Sequence, residues 1–168
     1  RYPASLVSLL LDNAKDWLAD LETLWKTVDH GHEQRCVSLT LVGDIIDLKL
    51  PWLAGHSRQV AHVAVEAERL WGLREPTLTD IGKSALIYGL GRAAVSNHLW
   101  NTAGTLPYSA AERVRLVPYW TQQALRPITE LAVPAEIAAH AYERLNGSGY
   151  FRGVAGDALS AEHRLFAT

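Results

Sequence analysis

Apolar residues recur at three- and four-residue steps in almost every segment of this chain, and no segment alternates with the two-residue period of a half-buried strand. Such a sequence buries its apolar surface as packed amphipathic helices. The longest stripe runs from Ala4 to Val28, through Leu6, Val7, Leu10, Leu11, Trp17, Leu18, Leu21, Leu24, Trp25 and Val28. It is too wide to leave in water, which predicts a homodimer or an interdomain contact for the N-terminal segment, residues 1–43. The segment is stopped by His30, Gly31, His32 and Glu33. Two histidines two residues apart, beside one glutamate and no second cluster, supply too few ligands for a metal and read as a polar cap.

Further helices are expected over Val37 to Leu50, ending before Pro51, and from a Ser57 cap to Trp71, closed by Gly72. Another covers Thr79 to Leu90. Ser109 with Glu112 forms a capping box at the head of a segment that Pro118 should kink, and a helix starting at Pro134 runs toward Gly147 and Gly149. The expected fold is an all-α domain of six to eight helices. Hydrophobic residues at 48% against 20% charged suffice for a core, while a net charge of -2 leaves no basic surplus for a nucleic-acid backbone. Any DNA contact would come from a fused domain outside this chain. Cys36 can form no internal disulfide and has no matching base for nucleophilic chemistry, and no apolar run approaches the roughly 20 residues of a membrane crossing. These features predict a cytoplasmic protein without membrane contact. Arg1 and the lack of methionine suggest a piece of a longer chain.

The run from Glu143 to Gly153, ERLNGSGYFRG, resembles the HHERLDGSGYPRG signature of HD-GYP domains, the cyclic di-GMP phosphodiesterase branch of the HD superfamily. Gly55-His56-Ser57 with Val60-Ala61 is similar to that family's GHS..VA helix start, and Ala85 to Arg92 to its ALLHDLGR segment. Asn97 to Trp100, Gly104 to Leu106 and Glu112 to Tyr119 continue the likeness in order and spacing. The resemblance covers about residues 47 to 168, is typical of regulators that carry a helix-turn-helix elsewhere, and implies an HD-like helical bundle over 44–168 that is truncated at its C-terminus.

What the resemblance implies for the site is less conventional. An HD site holds its metals in a cage of His and Asp side chains. Of the matched positions only His56 keeps its ligand. Tyr88-Gly89 stands at the His-Asp pair, Val117 at the histidine before the proline, Ala141-Tyr142 at the paired histidines and Trp52 at the glutamate, with a last aspartate falling beyond Thr168. His140 lies one position off the lost pair, about 100° away around a helix, and His62 does not share the face of His56 well. His98 and His163 read as surface or cap residues. The implied function is a catalytically inactive regulatory domain with no cofactor and a vestigial His56; the alternative is a phosphohydrolase with a reduced site holding a divalent metal such as Fe or Mn. Arg92, Arg144, Asn146, Ser148, Tyr150 and Arg152 are candidates to bind a nucleotide ligand, arginine being suited to bidentate phosphate contacts. The competing reading has them bracing the loop, and the six tryptophans packing the core.

Overall fold

A computed structural model describes residues 3–27, 36–72 and 75–167, which places the turn carrying His30, His32 and Glu33 outside the described residues. The chain divides into two compact units, residues 1–36 and 37–168, a division that falls ahead of the residue-43 boundary read from the sequence. The first unit holds helix α1 (Ala4–Thr27), the element that its apolar stripe predicts.

The second unit begins at Ser38, whose hydroxyl accepts a hydrogen bond from Thr40 N and caps α2 (Leu39–Asp47). This helix stops short of the expected Leu50, because Pro51 opens a separate 3-10 turn over Pro51–Leu53. α3 (His56–Trp71) follows Gly55, which sits at φ 77°. Ser57 is not its cap. Its amide and hydroxyl instead donate to the buried carboxylate of Asp47, at 2.7 and 2.8 Å, so the cap is delivered from the end of α2. Gly72, at φ 91°, ends the helix as its spacing predicts.

α4 (Thr77–Ile87) leads into a 3-10 segment, Leu90–Ala94, and then α5 (Asn97–Trp100). In α6 (Tyr108–Arg115) the cap position is Pro107 and the expected Ser109 box does not form; Glu112 pairs with Arg115 at 2.9 Å instead. Pro118 starts a new helix rather than kinking an old one, since α7 (Val117–Leu125) carries it in the first turn, where a missing N–H costs nothing. α8 (Ala132–Ala139) ends before the glycines its apolar face pointed to, and α9 (Ala161–Phe166) is capped by Ser160. The fold is all-helical, with no strand among the described residues. Among the described residues no helix is long and apolar enough to cross a membrane.

α4 packs against α3 and α8, and α7 packs on α8 and on the 3-10 segment. Ile87 from α4 and Tyr88 just after it meet Ala135 and Ala138 from α8 and Leu125 from α7 in the buried core, and Ile81 and Ala85 of α4 are fully buried as well. One close approach sets the level at which α7 crosses. A Cβ on Gly91 would lie 2.0 Å from Val117 O, so only glycine fits, and Gly91 N donates to Thr121 Oγ1 at 2.9 Å. Thr121 Oγ1 in turn donates to Tyr88 O at 3.0 Å. Gly91→Ala should therefore lower stability by about 3 kcal/mol or more, read as a drop in denaturant midpoint with unchanged slope.

Glu68 of α3 is fully buried and neither carboxylate oxygen has a hydrogen-bond partner among the described residues. Burial, and secondarily the charge of Glu162, raise its pKa above the ordinary carboxylate value. The folded state then binds a proton that the unfolded state releases first, so this group costs stability as pH rises above about 4. Glu68→Gln should be more stable than the parent at pH 7, by about 1–3 kcal/mol, with the gain vanishing toward pH 4 in thermal melts.

Candidate functional site

Three of the residues matched to a metal cage, His56, Tyr88 and Tyr142, gather where the start of α3, the end of α4 and the segment after α8 meet. His56, first residue of α3, places Nε2 2.7 Å from Tyr88 Oη. Tyr88 follows the last residue of α4, and Arg92 lies one turn further on. Arg92 is only 6% exposed. Its Nη2 donates to Tyr88 Oη at 3.1 Å and to Tyr142 Oη at 3.4 Å, and its guanidinium lies over the Tyr88 ring, 4.9 Å from the centroid. Nη1 stands 3.8 Å from Asp47 Oδ1.

The absence of a side chain at position 89 makes room for this. A Cβ on Gly89 would lie 2.7 Å from Arg92 Nη1, so the guanidinium fills the space that a side chain there would take. Burial pushes the Tyr88 hydroxyl above its ordinary pKa, partly offset by the Arg92 charge. It stays protonated at neutral pH, a donor as well as an acceptor. Phe166 of α9 meets the Tyr88 ring edge-on at 5.9 Å and closes the cluster.

The loop after α8 is organised around Glu143, whose buried carboxylate accepts from Arg152 N at 2.8 Å and Val154 N at 2.9 Å. Tyr150 stacks on Tyr142 at 5.1 Å, and burial raises its pKa as well. Ser148 donates its amide and hydroxyl to Asn146 Oδ1, a local turn. Arg152 is engaged by Glu136 Oε1 at 2.8 Å and Gln122 Oε1 at 3.0 Å. His140 turns its Nδ1 to Glu136 O at 2.8 Å and stacks on His163 at 4.0 Å, so its partners are not those of His56.

A groove of about 1210 Å³ runs along α3 and α9 and reaches the loop. Val60, Val63, Ala64, Leu165 and Phe166 give it an apolar floor, while His56, Gln59, Arg144, Asn146 and Arg164 supply polar groups. Three of the candidates read from the sequence, His56, Arg144 and Asn146, thus line one groove. Ser148 and Tyr150 are held within the loop and by Tyr142 beside it, Arg152 is tied to Glu136 of α8 and Gln122 of α7, and Arg92 is buried among the tyrosines. Gln59 and Arg164 were not singled out for binding, nor was Asp47 as an anchor. Gln59 was findable one turn after His56; Asp47 carried no signal beyond a lone carboxylate at the end of an apolar run.

Residues 40–168 match the profile of a family described as an HD domain. The chain is 31% identical over 130 residues to the 3′3′-cGAMP-specific phosphodiesterase 3 of Vibrio cholerae, covering 77% of this chain and 28% of that one. It is 24% identical over 187 residues to the 3′3′-cGAMP-specific phosphodiesterase 1 of the same organism, covering 99% and 43%. A cyclic di-GMP phosphodiesterase of Pseudomonas aeruginosa is 26% identical over 113 residues, covering 67% and 27%. The chain thus spans less than half the length of these relatives.

These matches correct the expectation of no cofactor. HD-domain phosphodiesterases are typically metal-dependent, and a divalent metal is the group the kinship calls for. The side chains present do not fit a metal cage, however: the centre offers His56 beside a guanidinium, and no group of three or more His, Cys, Asp or Glu among the described residues could hold an ion. Tyr88→Phe removes the nearer of the two tyrosine acceptors of Arg92 and the partner of His56 together. It should cost about 1–3 kcal/mol in thermal or chemical unfolding, well above an exposed Tyr→Phe control at Tyr108.

Proposed function

Since the chain belongs to the HD-domain family, we propose that it acts on a cyclic dinucleotide held in the groove along α3 and α9, as part of a phosphodiesterase-type protein rather than as a ligand-free regulator. The observation that carries this reading is the groove itself: an apolar floor suited to bases, with a cationic and amide rim suited to a phosphodiester. Arg144 is exposed, and its guanidinium makes no hydrogen bond or ion pair with the described residues, so it is available for bidentate contact with a phosphate. Asn146 and Gln59 can hydrogen-bond base edges or sugar hydroxyls. The names of the three relatives, all cyclic-dinucleotide phosphodiesterases, support the same ligand class.

His56, at the end of the groove, orients the ligand through a ring whose Nε2 is fixed by Tyr88, and the rim residues hold the phosphate. We also assign the chain to the cytoplasm, a setting in which its exposed Cys36 stays a thiol.

Titration calorimetry with 3′3′-cGAMP and cyclic di-GMP tests the reading, with turnover followed after adding Mn or Fe. Binding is expected, weakened about 10- to 100-fold in Arg144→Ala. Hydrolysis that needs added metal and is lost in His56→Ala would establish cleavage. A chain that binds neither dinucleotide sinks the proposal.

A further inference from the structure

We infer that α1 is a self-association element that pairs antiparallel with α1 of a second copy of the chain. Its apolar residues are bare: Leu11 is 70% exposed, Leu18 61%, Leu10 55%, Trp17 45% and Val7 44%. A helix of 24 residues, about 36 Å long, carrying this much exposed apolar surface needs a partner.

The spacing says what kind. Positions 7, 10, 14, 17, 21 and 24 are Val, Leu, Ala, Trp, Leu and Leu, alternating by three and four as the core positions of a heptad seam. Leu11 and Leu18 widen that seam on one side. The occupant is a second copy because the seam is complementary to itself in one orientation. Run antiparallel, position 7 faces 24, 10 faces 21, and 14 faces 17, which sets the small Ala14 against the large Trp17 in both central layers. Run parallel, Trp17 would meet Trp17 and Ala14 would meet Ala14, a crowded layer beside a hollow one. The seam belongs to residues 1–36, a unit distinct from the HD domain, so pairing does not depend on the ligand proposed above.

The test uses the 168-residue chain carrying Cys36→Ser. Light scattering should give twice the chain mass, and Trp17→Asp should return a monomer without moving the melting of the HD domain. For orientation, chains with Val7→Cys are mixed in equal amount with chains with Leu24→Cys and oxidised. The antiparallel pair yields mixed disulfide dimers and few self-linked ones. Self-linking of Val7→Cys alone would overturn the orientation, and a monomeric parent chain would overturn the pairing altogether.

Discussion

The carboxylate of Asp47 is the fixed point of the HD domain. It is fully buried at the last residue of α2, and such a charge is tolerable only with donors aimed at it. Two come from Ser57, in the first turn of α3, where unpaired amides and the positive end of the helix dipole favour an anion. The third influence is Arg92, whose Nη1 lies 3.8 Å away. Through these contacts α2, α3 and the segment after α4 meet at one point, and the side chain beside it is His56. The aromatic and guanidinium cluster is assembled on that anchor.

Much of the helical framework was legible because it rests on local chemistry. α1 follows its own stripe, and Gly72 ends α3 by adopting a positive φ that other residues resist. Elements whose ends are set from elsewhere were misplaced. Ser57 and Ser109 both have the residue type of a cap, yet one turns to Asp47 and the other yields its place to Pro107, outcomes decided by packing that spacing does not record. α8 stops early because the chain must turn for Glu143 to collect the amides of Arg152 and Val154.

The site was legible as a lineage more than as a geometry. The signature run and the His56 segment pointed to the HD superfamily, and the family match over residues 40–168 agrees. The step from missing ligands to a protein without a cofactor went too far, since HD-domain phosphodiesterases are typically metal-dependent. What no spacing could reveal is that Arg92 folds back into the volume left by Gly89. That depends on a side-chain path, not on the order of residues.

The Thr121 hydroxyl has a mechanical meaning. It receives the Gly91 amide and gives its proton to the Tyr88 carbonyl, so one atom clamps both ends of the turn that carries the central tyrosine onto α7. Turn and helix are thereby a single lever. A shift of the Tyr88 backbone therefore loads α7, and with it the packing of α7 on α8.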